Sequence, residues 1–286
     1  MDNQKFLAIV QVISAFALWS TLGVFFQRVH LPVSVSVVYG SSVGLIALYV
    51  YFYLKTKTLP SLRFSWPLAT LFLVAGVKGI IWFRALTLIP IAHAMLIHNL
   101  APAVASVLSW FFLKEKPTVS HVVAILTGFV GLALLLQAIS VPALSIGVVF
   151  ALGAALASGI QDVAQRKLSP TMPGITQAFV FILGQATGNV IFLLPSLTQT
   201  ITWPDAGAIL YFGLVGTAIP IILLSRAFAR LKAFEVATLG YTEPVLGALW
   251  GALFLGQPIL PSTAIGGFLI FLSGLTAVKN KGSNYL

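Results

Sequence analysis

Lys78 and Glu243 lie in the middle of long apolar runs. At the centre of a bilayer an ionised side chain costs about 3 kcal/mol on insertion scales, so each must pair, meet water or be neutralised. Lys78 is too deep to reach an interface easily and is expected to face a cavity. There it could hold a carboxylate or phosphate, or pair with Glu243. Trp82 follows by four residues on the same helical face. Together the two would make an apolar wall with a charged handle, suited to an amphipathic zwitterion such as a larger amino acid. Glu243 could be a proton-coupling group, or a neutral acid in a hydrogen bond between helices. His98 beside Asn99 could be a polar cavity pair or a proton site, or His98 could be a packed histidine. Tyr241, two residues before Glu243, joins the candidate substrate contacts.

Three prolines fall inside apolar runs. Pro102, Pro244 and Pro220 lack the N–H that would bond the carbonyl four residues back. The freed carbonyls are those of His98, Gly240 and Gly216. In lipid these groups need partners, so the kinks are expected to face protein or water and to act as hinges. Other polar residues have simpler readings. Asp162 has Arg166 four residues on and is expected to pair with it. Gln161, Gln185 and Asn189 could bind substrate or tie helices together, which is the commoner role. Arg84 suits a headgroup contact. Trp19 and Trp250 suit packing. The pairs Gly40/Gly44, Gly184/Gly188 and Gly247/Gly251 are small-residue stripes for close helix contact. His93 and His98 are five apart, which turns the helical face by about 140°, so no shared metal is expected.

The elements that position these residues follow from composition. The chain of 286 residues is 59% hydrophobic, 8% charged and has a mean hydropathy of +1.02. Soluble domains carry about 25% charge, so the solvent here is lipid. There is no cysteine, hence no disulfide or thiolate metal site. No phosphate-binding Gly-x-x-x-x-Gly-Lys-Ser/Thr, His-Glu-x-x-His or Gly-x-Ser-x-Gly occurs. No catalytic residue, cofactor or nucleic-acid partner is expected.

A spanning helix needs about 20 apolar residues. Ten segments qualify, at about 6–26, 33–54, 66–88, 91–113, 119–138, 144–166, 174–195, 205–229, 233–255 and 261–279. The first follows MDNQKF directly with no Ala-x-Ala-type site and is read as a retained helix. With the N-terminal side taken as inside, 13 of the 16 Lys and Arg fall at inside ends, and two, Arg28 and Arg84, at outside ends. This bias predicts cytoplasmic N- and C-termini in the inner membrane.

The chain also repeats itself. Arg84 to Glu115 is echoed by Arg226 to Gln257 at a spacing of 142, with Pro102 matching Pro244. Gln27-Arg28 recurs as Gln165-Arg166 at 138, and Trp66-Pro67 as Trp203-Pro204 at 137. The period is about half the chain, so the protein reads as two units, 1–138 and 139–286. Five spans per unit is an odd number, so the second copy enters from the opposite side. Such 5 + 5 inverted repeats place a binding site near the midplane between the halves and rock between outward and inward states.

The residues resemble the drug/metabolite transporter superfamily, specifically its ten-helix EamA-type branch. The resemblance is carried by Leu18-Trp19-Ser20, Ala85-Leu86, Ala92-x-Ala94, Leu100-Ala101-Pro102 and Phe112-Leu113-Lys114-Glu115. It continues in the second copy with Ala227-Phe228, Val236-Ala237, Glu243-Pro244-Val245 and Phe254-Leu255-Gly256-Gln257. The copy has Gln257 where the first has Glu115, so this acid is expected to do little beyond capping a loop. The resemblance, which extends to amino-acid exporters of that branch, implies export or exchange of small metabolites by alternating access. It also implies that segments 1, 3, 4, 6, 8 and 9 surround a cavity, buttressed by 5 and 10.

The expectation is therefore an all-α integral membrane carrier of ten transmembrane helices for an amino acid or related compound. Its substrate contacts would be Lys78, Trp82, His98, Asn99, Tyr241 and Glu243, with Glu243 or His98 coupling to protons. The alternatives are a membrane enzyme acting on a lipid, or a passive channel. Loops this short and poor in acids do not suit the enzyme. The oligomeric state is left open, and a monomer is compatible with the sequence.

Overall fold

A computed structural model describes residues 3–22, 24–25, 33–58, 60–137, 145–192 and 200–279. Arg28 lies outside these residues. Every described regular element is a helix. They are α1 (Asn3–Ser20), α2 (Val33–Thr56), α3 (Trp66–Leu88), α4 (Ile91–His98), α5 (Ala101–Leu113), α6 (Val119–Leu135) and α7 (Ile146–Leu168). Then come α8 (Gly174–Gly188) with a 3₁₀ turn Asn189–Phe192, α9 (Trp203–Gly213), a π turn Leu214–Ala218, and α10 (Ile219–Ala227). The last are α11 (Ala233–Leu239), α12 (Thr242–Leu255) and α13 (Pro261–Lys279).

Helix ends follow local chemistry. Trp66-Pro67 and Trp203-Pro204 open α3 and α9, with proline in the first turn where no N–H is needed. At α9 the Thr202 N–H and hydroxyl both donate to Asp205 Oδ2, at 2.8 and 2.7 Å. Two helices end alike. Lys114 after α5 has φ 59° and Gly256 after α12 has φ 66°. The next N–H in each case reaches six residues back, from Glu115 to Ser109 O and from Gln257 to Gly251 O, both at 3.2 Å.

The prolines interrupt the helices. The chain breaks at Asn99-Leu100, between α4 and α5, and at Gly240-Tyr241, between α11 and α12. Each break falls within the turn that leads into a proline, where the ring opposes regular helical geometry. The Gly240 carbonyl freed by Pro244 accepts the Glu243 N–H at 3.0 Å. Pro220 is accommodated by the π turn, and the Gly216 carbonyl accepts the Trp19 indole N–H at 2.9 Å. Trp19, expected only to pack, thus supplies the partner that the proline demands.

Among the described residues six helical stretches are long and apolar enough to span a bilayer: Val35–Lys55, Trp66–Leu88, Ile91–Leu113, Ile146–Leu168, Gly174–Ile191 and Trp203–Ala227. Val119–Leu135 and Pro261–Ala277 are apolar but shorter. Much large apolar surface points outward, including Phe111, Phe112, Leu253, Phe254 and Phe268. With no water to avoid in lipid, such residues belong on the outside.

Packing joins early helices to late ones. α3 lies along α7 and α8, α10 along α1 and α8, α9 along α2, α5 against α7 and α11, and α6 along α13. Glycine lets backbones touch at three of these seams. A Cβ on Gly184 would strike the Phe72 carbonyl, and one on Gly188 the Gly76 carbonyl. A Cβ on Gly213 would lie 2.8 Å from Gly40 O, and one on Gly131 would lie 2.7 Å from Gly266 O. The glycine pairs at 40/44 and 184/188 therefore serve close helix contact, as their spacing predicts.

Candidate functional site

The Lys78 side chain leaves α3 toward α7, where its Nζ donates to Gln161 Oε1 at 2.6 Å. The same nitrogen lies 5.7 Å from the centre of the Phe181 ring on α8, within cation–π range. One turn on, Trp82 meets the His98 ring at the end of α4, with centroids 4.6 Å apart. His98 Nε2 is 2.9 Å from Ser158 Oγ on α7. Ser158 and Gln161 are three apart, so one face of α7 holds both partners of this group.

Charge converges here. Asp162 on α7 and Glu243 in the first turn of α12 both act electrostatically on Lys78, and Lys78 on His98. Lys78, Trp82, His98, Asp162 and Glu243 are all half-buried. α3 packs on α4, α7 and α8 here, and α4 packs on α7. An ammonium has three donors, and Gln161 takes one. Two remain for an anionic group, beside aromatic faces and two carboxylates. Among the described residues no three potential metal ligands cluster.

The structure corrects two expectations. Asp162 does not pair with Arg166. Arg166 turns instead to Glu115, with Nε and Nη2 each 2.8 Å from Oε1, and its Nη1 donates to Phe228 O at 2.7 Å. An i,i+4 pair contributes only about 0.2–0.5 kcal/mol, and a fork of charged hydrogen bonds outweighs it. Glu115, expected only to cap a loop, is therefore an ion-pair partner across helices. Of the partners open to Lys78, Gln161 is the one it bonds, and the ion pairs found among the described residues include none between Lys78 and Glu243.

Tyr241 sits apart from the half-buried group. It is 1% exposed, and its ring fills the space that a side chain at Gly128 of α6 would need. Its hydroxyl donates to Asn99 O at 3.1 Å. The Asn99 amide itself donates to Met95 O at 2.8 Å. These two residues link the breaks in the two interrupted helix pairs. Pro102, Pro220 and Pro244 are buried beside those breaks and the π turn. Arg84 is exposed near the end of α3, as a headgroup contact would be. Asn189 donates to Ser41 Oγ at 3.3 Å and so ties α2 to the end of α8. Trp250 donates to Ser20 Oγ at 2.9 Å.

Two residues of the group carry no chemical signal in the sequence. Ser158 is a common residue type, and Phe181 is one of 21 phenylalanines. What selects Phe181 is its position against Lys78.

Comparison with known proteins agrees with this architecture. The EamA-like transporter family model matches residues 6–137 and again 145–278. The uncharacterised transporter YwfM of Bacillus subtilis is 29% identical over 249 residues, covering 84% of this chain and 80% of its own length. The pseudopaline exporter CntI of Pseudomonas aeruginosa is 25% identical, covering 88% of each. A riboflavin transporter of Vibrio cholerae is 26% identical, covering 77% and 69%. A solved crystal structure superposes with a TM-score of 0.80 over 94% of this chain and 96% of its own, at 24% identity, a likeness of fold.

Proposed function

The chain belongs to the EamA-like transporter family, and on that premise we propose that it is a secondary carrier for an amino acid or related amphipathic compound, working by alternating access. It is a multi-pass membrane protein and a transporter of small molecules. In this reading its ten spans form two inverted units, 1–138 and 139–286. The equal αL caps after α5 and α12, the matching breaks before Pro102 and Pro244, and the two stretches matched by the family model support the duplication. The charge bias supports cytoplasmic termini in the inner membrane.

The observation that carries the reading is Lys78, held by Gln161 at a half-buried junction of helices from both halves. A hydrogen-bonded ammonium among aromatic rings, away from bulk water, suits a substrate with one anionic group and an apolar body. Lys78, Trp82, His98 and Glu243 bind the substrate directly. Asn99 and Tyr241 shape the site where the interrupted helices meet, and Pro102, Pro220 and Pro244 act as hinges. Glu243 or His98 carries a coupled proton. The exporter among the relatives, and the exporters the sequence resembles, favour outward movement. The relatives' cargoes differ, so the substrate class rests on the site itself.

Counterflow in proteoliposomes tests this. Vesicles are preloaded with each of a panel of amino acids and small metabolites, and uptake of the labelled compound is followed. Saturable exchange for one class, lost in Lys78→Ala or Glu243→Gln, supports the reading. Exchange that survives both substitutions moves the site elsewhere. No exchange with any compound, in protein shown to be folded and inserted, removes the support for the substrate class.

A further inference from the structure

At the end of the bundle that carries residue 3, two polar ties cross between the halves of the chain. In the first, Lys5 Nζ of α1 lies 3.2 Å from Glu235 Oε1 of α11. His121 Nε2 of α6 lies 3.9 Å from the same oxygen. Glu235 Oε2 also accepts the Lys232 N–H at 2.8 Å, which fixes the carboxylate at the helix start. In the second, Arg166 of α7 clasps Glu115 and the Phe228 carbonyl. Lys5, His121 and Glu115 come from the first half, and Glu235, Arg166 and Phe228 from the second. Beneath both ties lies one apolar cluster that includes Ile9 and Val12 of α1, Leu113 of α5, and Phe228, Leu231 and Phe234 around the α10–α11 turn. Phe228, Leu231 and Phe234 are fully buried, and α5 packs directly on α11.

We infer that the Lys5–Glu235 and Arg166–Glu115 ties, with the Phe228–Leu231–Phe234 plug below them, are a reversible seal that closes this end of the cavity. The inference rests on the carrier reading, since only a protein that opens to both sides needs a breakable seal. The chemistry suits one. A permanent closure needs only apolar packing. Ion pairs at the rim of a protein cost less to open than pairs sealed in its core, yet they fix which helices meet. They therefore give two discrete arrangements, as a switching interface requires. The side chains are 17% and 5% exposed in the first pair and 16% each in the second, so Lys5, Arg166 and Glu115 reach the rim of the protein while Glu235 is buried beneath it.

The chain has no cysteine, which makes single-thiol accessibility a clean test. The reporter is Asn99→Cys in the full-length protein, labelled with a membrane-impermeant maleimide in vesicles of each orientation. Lys5→Gln and Glu115→Gln should each speed labelling from the N-terminal face by about three- to fivefold, the scale of one partly exposed ion pair. Labelling from the opposite face should not rise. Lys5→Arg, which keeps the charge, should leave both rates unchanged. Unchanged labelling from the N-terminal face in both neutral variants, with counterflow intact in the same variants retaining Asn99, overturns the seal while leaving the carrier reading in place. Labelling from one face only in every variant, with no counterflow, removes both.

Discussion

Tyr241 donates its hydroxyl proton to the carbonyl of Asn99 at 3.1 Å across 142 residues, the same interval that separates Pro244 from Pro102. The two residues thus stand at matching places in the repeat and touch at the bundle's interior. Each belongs to a helix break, where ordinary backbone bonding lapses. In lipid a freed carbonyl must find a donor, and here one break supplies the donor for the other. Tyr241→Phe should lower stability by about 1 kcal/mol, the net value of one such bond, read as a lower thermal midpoint in detergent. If Tyr241 acts chiefly as a tie between hinges, the maximal exchange rate shifts while the half-saturating concentration stays constant. A change in half-saturation alone would make it a direct substrate contact.

Gln161 separates positioning from binding. Its carbonyl oxygen holds Lys78 at 2.6 Å, so Gln161→Ala leaves the ammonium in place without its anchor. Saturable exchange should persist with weaker half-saturation, by roughly tenfold for the loss of one hydrogen bond to a charged group. Lys78→Ala should abolish exchange. If Gln161→Ala and Lys78→Ala behave alike, Gln161 itself contacts the substrate. The measurement is initial counterflow rate against substrate concentration.

Much of this arrangement is legible in the chain. The prolines announce the breaks, and the fixed spacing announces that two of them come as a pair. Lys78 and Trp82 can be placed on one face of α3 because a four-residue interval separates them. The partners cannot be read. Asp162 and Arg166 have good local spacing, but Arg166 bonds to Glu115, 51 residues away, because tertiary packing brings a carboxylate and a free carbonyl to the same fork. Ser158 and Phe181 are ordinary residue types, chosen only by where α7 and α8 meet α3. Periodicity fixes the faces of one helix. Which faces meet depends on packing that a single helix does not encode.

Trp19 offers a check on the π turn. Its indole N–H caps Gly216 O at 2.9 Å, the carbonyl that Pro220 releases. Trp19→Phe keeps an aromatic body but removes the donor, leaving that carbonyl unsatisfied at a cost of about 1–3 kcal/mol. The thermal midpoint should fall. Adding Pro220→Ala restores an N–H four residues on and should recover most of the loss. The double variant and both singles form a cycle. An additive result would show that the tryptophan and the proline do not share this carbonyl.

The glycine seam between α3 and α8 makes the sharpest contrast. A methyl group at Gly188 would meet the Gly76 backbone, and one at Gly184 the Phe72 carbonyl. Neither neighbour is the free end of a side chain, so the helices must separate. Overpacking of this kind costs about 1–3 kcal/mol. It would also move α3, which carries Lys78, away from α8, which carries Phe181. Gly188→Ala should therefore lower both the thermal midpoint and the exchange rate. At Gly207, in α9, an added methyl group would have nothing within 4 Å. Gly207→Ala should be neutral or stabilising by up to about 1 kcal/mol, the helical preference of alanine over glycine. Equal effects at the two positions would show that helix propensity, and not the close approach of α3 and α8, governs these glycines.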